Sequence, residues 1–263
     1  MSTHFKLALV LAGMAAVALA PVHAQKPASD TTLQKKAVEP KKMEGGGWTP
    51  LFDGKTLNGW RGYNKPDATG TRWTVEDGML TVSPSGAGDT HGQRDLITDA
   101  TYQQFDLRWE WKIAQAGNSG VKYFVLEDRP DAIGHEYQMI DDERHPDAKI
   151  GPHRQTAAFY DVFPAANRPM KPAGEWNTSE VIVRGNHVEH WLNGKRVLQY
   201  ELNSPELSAA IAKSKFKGIE RFGKPQNGHI LVQDHGDRVW FRKIEIKKID
   251  GESPTGDKKK QKF

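Results

Sequence analysis

A chain of 263 residues without a single cysteine can build neither a disulfide scaffold nor a thiolate metal site, so its folded part has to be stabilised by its core. The formal net charge of +4 is concentrated in Lys-rich ends, and residues 45–252 are net negative. That distribution argues against nucleic acid as the main partner, because phosphate binding needs a positive surface on the folded body.

Lys6 precedes an apolar run from Leu7 to Leu19, and Val22-His23-Ala24 has the small-x-small pattern of a secretory cleavage site. Residues 1–24 therefore read as a signal peptide, and the mature chain as exported, periplasmic or secreted. The run is short of a bilayer span and no later segment approaches one, so no transmembrane segment is expected. Residues 25–46 and 251–263 are rich in Lys, Pro, Ser, Thr and Gly without apolar periodicity and read as disordered. Residues 47–250 remain for one domain.

Along that domain, Leu51 to Trp60 alternates turn formers with anchors and predicts a short strand, an Asp53-Gly54 turn and a buried Trp60. Arg72–Val75 and Met79–Val82 flank Glu76-Asp77-Gly78, a hairpin signal. Ser83 to Gly92 is a glycine-rich loop without phosphate-loop spacing. Phe105 to Lys112 alternates most cleanly, with Phe105, Leu107, Trp109 and Trp111 on one face of a long strand. Both tryptophans read as core rather than as sugar platforms.

Gly117-Asn118-Ser119-Gly120 predicts a turn into a strand at Val121–Val125. His145, His153 and Arg154 fall in a long loop, and Thr156–Val162 reads as another strand. A meander follows at about 176–184, 187–192 and 195–202, broken by Gly185-Asn186 and Asn193-Gly194. Ser204-Pro205-Glu206 supplies an N-cap, a first-turn proline and an acid ahead of a short helix from Leu207 to Lys213. Strands at about 229–235 and 238–249 close the domain. The pattern is all-β: a two-sheet antiparallel β-sandwich of jelly-roll type with one short helix.

The stretch from Gly134 to Glu143 carries the chemistry. Side chains alternate across a strand, so Glu136 and Gln138 share one face while Tyr137 and Met139 fill the other. Ile230 to Gly236 repeats the arrangement, with Gln233 and His235 opposite Ile230 and Val232. Two such strands in one sheet bring a carboxylate, two amides and an imidazole together, enough to bind a sugar and move a proton. The same alternation also suits a solvated outer face.

Several segments together resemble the 3-keto-disaccharide hydrolase domain family: LFDGKTLNGW at 51–60, WTVEDGML at 73–80, FDLRWEWKI at 105–113, GNSGVKYF at 117–124, EYQMIDDERHPDAK at 136–149, HWLNGKRV at 190–197 and QDHGDRVWFRKIEI at 233–246. The resemblance implies a concanavalin-A-like lectin/glucanase sandwich and a 3-keto-glycoside substrate. A ketone at C3 acidifies the C2 proton, so a base can remove it and expel the C1 aglycone, after which water adds. The enolate oxygen then needs hydrogen bonds or a divalent cation.

Glu136 is the first candidate for the base and His235 for a proton carrier. Asn118, Lys122, Gln138, Asp141, Tyr160 and Gln233 are candidate contacts to sugar hydroxyls or carbonyls, while Asp142 and Glu143 read as solvated charge. If a divalent metal is bound, Glu136, His153 and His235 are the expected ligands, with His153 placed ahead of His145 because a proline follows the latter. Two other readings stay open. A retaining glycosidase needs two carboxylates about 5 Å apart, and Gln138 leaves Glu136 without an obvious partner. A non-catalytic, lectin-like carbohydrate module is the fold's other common use.

Overall fold

A computed structural model describes residues 47–82 and 94–249. The expected signal peptide, both tails and the Ser83–Gly92 loop lie outside the described residues. Eight strands form the larger sheet, in the order β11 (Lys195–Glu201), β10 (His187–Leu192), β9 (Asn177–Arg184), β6 (Phe105–Ile113), β13 (Val239–Lys248), β4 (Met79–Val82) and β3 (Trp73–Glu76), with β1 (Thr49–Pro50) also paired to β13. The smaller sheet runs β2 (Trp60–Gly62), β5 (Leu96–Tyr102), β12 (Gly228–Val232), β7 (Asn118–Val125) and β8 (His135–Ile140). Neighbours in both sheets are antiparallel, and the chain crosses repeatedly between them, as a sandwich of this type requires. No helix among the described residues is long and apolar enough to cross a membrane.

The alternation of β6 sets the core. Phe105, Leu107, Trp109, Trp111 and Ile113 are buried, against Val121 and Tyr123 of β7 and Tyr137 and Met139 of β8. Trp109 meets Tyr137 edge-on, with ring centroids 5.0 Å apart. A fully buried ring of this size removes roughly 150–250 Å² from water, worth about 4–6 kcal/mol before entropy is counted. Two of these rings share a polar link: Trp111 Nε1 donates to Ser179 Oγ (2.8 Å), which donates to the Tyr137 hydroxyl (2.8 Å).

Local turn chemistry fixes the hairpins. Asp77-Gly78 and Asn193-Gly194 each place two successive residues at positive φ, the geometry whose twist matches paired strands. The helix α1 (Pro205–Ile211) starts where Ser204 accepts the Leu207 N–H at 3.0 Å.

Three expectations are corrected. Asn118-Ser119-Gly120 does not turn but opens β7, because each residue has a partner in β8: Ile140, Met139 and Gln138. Long-range pairing outweighs a locally turn-like composition. Thr156–Val162 is not a strand: Ala157 and Asp161 sit at φ of 66° and 62°, which interrupts extended backbone, and only Phe159 makes isolated bridges. The strand expected at 229–235 ends at Val232. Beyond it the Asp234 N–H leaves the ladder for the Asp95 carboxylate at 2.8 Å.

A bulge in β7 determines which side chains face outward. Phe124 adopts φ 60° opposite a register shift in β12, so that both Tyr123 and Phe124 enter the core. Gly228 is required beside it, since a Cβ there would stand 2.6 Å from the Phe124 carbonyl carbon. Lys122 lies before the bulge, in unbroken register with β8, and ordinary alternation puts it on the outer face across from Glu136.

Candidate active site

On the outer face of the smaller sheet, Lys122 of β7 lies directly across from Glu136 of β8, and Gly120 across from Gln138. These strands, with the turn after β12, line an open cavity of about 370 Å³. Of the candidates read from sequence, Glu136, His235, Asn118, Lys122, Gln138, Tyr160 and Gln233 all line it. Asp141 and His153 do not.

Glu136 is only 4% exposed. Burial raises its carboxyl above the ordinary range, the charges of Lys122 and Lys215 pull it back, and Asp147 pushes it up again. Its carboxylate lies over Gly120, where a Cβ would come within 2.6 Å of Oε1. Lys122 donates to the Ala132 carbonyl at 3.2 Å and stands 3.9 Å from Asp95.

Asp95 is a cavity residue that the sequence reading missed. Burial raises its carboxyl to about 6 against the pull of Lys122 and the Asp234 N–H. Neighbouring Asp234 is held by Arg72 through Nε at 2.9 Å. Lys215, Phe216 and Ile219, from the segment after α1, form another wall. Asp95, Lys215, Phe216 and Ile219 have no periodic pattern around them, so the cavity is legible only from its two strands.

The remaining candidates differ in what they can offer. The Tyr160 hydroxyl donates to Asp147 at 2.8 Å, so its proton is committed and its oxygen is left as an acceptor. Gln138 accepts the Met139 N–H at 3.1 Å and points its amide nitrogen towards the Arg154 carbonyl. Asn118 Oδ1 and Gln233 Oε1 are buried acceptors with no partner among the described residues. Such orphans are uncommon and are suited to hydroxyl donors of a ligand or to ordered water.

Asp141 caps a turn. Burial opposes its charge, but the N–H groups of Ala116 and Glu143 and the Arg144 guanidinium outweigh it and hold the carboxyl below its usual range. It is a structural acid rather than a cavity group. Its place in a loop next to the strand that carries Glu136 gives no sequence signal of the difference.

His153 sits beside Asp161, 3.7 Å away, so the expected ligand set of Glu136, His153 and His235 is not assembled. Among the described residues, the trio with donor atoms all within 4.8 Å of one another is His145, His235 and Asp237. The His145 and His235 rings meet edge-on at 6.0 Å, and Asp237 accepts the Asn118 N–H at 3.0 Å. His145 precedes the short 3-10 turn at Asp147–Lys149, whereas His153 lies within the one at Pro152–Arg154.

A second concavity of about 390 Å³ lies on the outer face of the larger sheet. Two charge pairs line it, Arg108 with Glu245 (2.8 Å) and Glu110 with Lys243 (2.7 Å), while burial and the neighbouring Asp106 raise the Glu180 carboxyl to about 7.

Comparison with known proteins shows the family. The chain is 38% identical over 234 residues to a protein of Bacteroides thetaiotaomicron named 3-keto-disaccharide hydrolase, covering 79% of this chain and 80% of that protein. A Parabacteroides distasonis crystal structure provisionally assigned as a glycosyl hydrolase superposes with a TM-score of 0.70 at 31% identity, covering 78% of this chain and 95% of that one. A second structure from the same organism, with the same provisional assignment, gives 0.58 at 26% identity, covering 77% and 99%. Residues 47–247 match the model of the 3-keto-alpha-glucoside-1,2-lyase-like domain, and the chain belongs to that family.

Proposed function

We propose that this domain cleaves 3-keto-glycosides outside the cytoplasm, with Glu136 removing the C2 proton and the C1 aglycone leaving in an elimination. An enzyme that acts on glycosidic bonds is what the family and the Bacteroides relative support. The observation that carries the mechanism is a buried carboxylate with a raised proton affinity, facing a cavity, with a lysine directly across the ladder. A base removing a proton from carbon beside a ketone works best when its pKa is close to the working pH. The sequence of Lys6 to Ala24 supports export.

Lys122 carries positive charge towards the place where the enolate oxygen develops, while Gln138, Asn118 and Gln233 meet the sugar hydroxyls. A divalent cation is part of the proposal. His145, His235 and Asp237 offer two imidazole nitrogens and a carboxylate oxygen, a borderline-to-hard donor set that fits Zn²⁺, Mn²⁺ or a similar ion. When bound, such an ion supplies Lewis-acid stabilisation of negative oxygen. Glu136 is then left to act as base rather than as ligand.

The test is direct. Purified protein is incubated with a 3-keto-glucoside and with its unoxidised parent, and aglycone release is followed. Release from the keto-sugar alone is expected. Equal or preferred cleavage of the parent would return the retaining-glycosidase reading, and binding without turnover the lectin-like one.

A further inference from the structure

We propose that Lys215 is a further catalytic residue, which protonates the departing aglycone oxygen while Glu136 takes the C2 proton. The inference rests on the function proposed above and adds a second proton to it. Elimination needs both. The bond from C2 to hydrogen breaks towards Glu136, its electron pair becomes the C1–C2 double bond by way of the enolate, and the C1–oxygen bond breaks with its pair on oxygen. That oxygen needs a proton, and an alkoxide leaving without one is a poor leaving group.

The cavity contains two lysines near Glu136, and their surroundings differ. Lys122 is tethered to the Ala132 carbonyl and faces Asp95. Lys215 is held by backbone and by aromatic faces instead. Its own N–H donates to Asp161 at 2.7 Å, and Phe216 beside it stacks on Phe222 at 4.4 Å. Its ammonium lies 4.1 Å over the Tyr160 ring and 5.1 Å from the Phe216 ring. Among the described residues no carboxylate comes within ion-pair distance of it and no hydrogen bond engages it, so its protons remain available to a ligand.

The wall around Lys215 also matches the aglycone end. Tyr160, Phe216, Ile219 and Ile133 contribute apolar surface to a lining that also carries Lys122, Gln138 and Gln233, and the Tyr160 and Phe216 rings are the ones beside the Lys215 ammonium. In the proposed complex the aglycone lies against the Tyr160 and Phe216 rings, beside the Lys215 ammonium. Burial lowers the proton affinity of Lys215, against the opposing pull of Glu136, which favours proton release. More than a third of its surface stays open to water, from which the proton is restored.

The test is a leaving-group series. Wild type, Lys215→Met and Lys215→Arg are assayed on 3-keto-glucosides whose aglycones run from 4-nitrophenol, which leaves unaided, to methanol, which does not. Lys215→Met, assayed at a pH above the Glu136 acid limb because loss of its charge also moves that limb up, is expected to stay within about 3-fold of wild type on the nitrophenyl substrate and to lose about 100-fold on the methyl one, the size usual for a lost general acid. Lys215→Arg, charged but unable to release its proton, should also be slow on the methyl substrate. C2 hydrogen–deuterium exchange should persist in both variants. A loss that is uniform across the series, or no loss, in an active enzyme overturns the role of Lys215 alone. Wild type inactive on every keto-glycoside overturns this assignment together with the proposed function.

Discussion

Gly120 and Glu136 are complementary: the missing Cβ of the glycine is the space in which the glutamate's Oε1 lies, 2.6 Å from where that Cβ would be. The base is thus positioned by its own side chain and by what the neighbouring strand lacks. A methyl at this point meets the far end of a flexible side chain, so the fold can absorb it while the carboxylate has to move. Gly120→Ala should change unfolding free energy by less than about 1 kcal/mol. It should lower kcat about 10- to 100-fold, the effect of a small misplacement of a reacting group. Paired thermal melts and kinetics separate the two effects. A variant with unchanged kcat would show that the carboxylate's position over Gly120 is irrelevant to turnover.

The pH dependence follows from the surroundings of Glu136. The base accepts a proton only when ionised, and its folded pKa is raised by burial, so kcat/KM should fall as pH drops through that raised value. Lys122 favours the ionised form. Removing its charge in Lys122→Met should move the acid limb to higher pH and cost about tenfold or more at neutrality. Glu136→Gln should lose at least ~100-fold and show no acid limb of this origin. An acid limb that persists unchanged in Glu136→Gln would assign the titration elsewhere.

Much of this frame is visible in the chain because its causes are local. The period-two alternation of Phe105 to Ile113, the Asp77-Gly78 and Asn193-Gly194 turns and the Ser204 cap each act within a few residues, and the structure contains all of them. The same alternation puts Glu136 and Gln138 on one face. What escapes is set by distant chain. Asp95 enters the cavity because the Asp234 N–H leaves its ladder for it, and Lys215 enters from an aperiodic segment tied to Asp161. Asn118 to Gly120 misleads for the same reason, since its composition suits a turn and only β8 makes it a strand.

Acid sensitivity should arise in the core, away from the cavity. The Gly223 N–H donates to His135 Nε2, so the ring proton lies on Nδ1 and is given to Tyr200. The Ala157 carbonyl takes the His190 Nδ1 proton, so Nε2 accepts from Tyr123. Tyr200 then donates to Tyr123, and one ordered chain of donors links two loops. Burial lowers His135 to about 3 and His190 to about 4. With folded values below the unfolded ~6.5, the unfolded chain binds protons first on acidification, so this stability is complete above about pH 6.5 and is lost progressively as pH falls to the folded values. For His190, at about 4, the loss amounts to about 3 kcal/mol. Denaturant titrations at pH 7 and pH 4.5 should show the drop, and His190→Gln should show less of it. Equal pH slopes in the two proteins would remove His190 as a source.

Metal dependence distinguishes the two histidines that the loop offers. His145 meets His235 and Asp237, whereas His153 meets Asp161 and lies apart from them. Both histidines are in the same loop and within reach of carboxylates, so chemical type alone does not separate them. Position does. A two-imidazole, one-carboxylate set with open positions should bind a first-row divalent ion, and losing one ligand of three should reduce affinity steeply. Metal content of the purified protein, with and without chelator, should therefore fall in His145→Ala and His235→Ala and be retained in His153→Ala. Turnover should follow the same order, with losses of at least ~100-fold in the first two. Metal retained by His145→Ala but lost by His153→Ala would instead place the ion beside Asp161. Full turnover by chelator-treated, metal-free enzyme would leave Lys122 and the cavity amides as the sole stabilisers of the enolate.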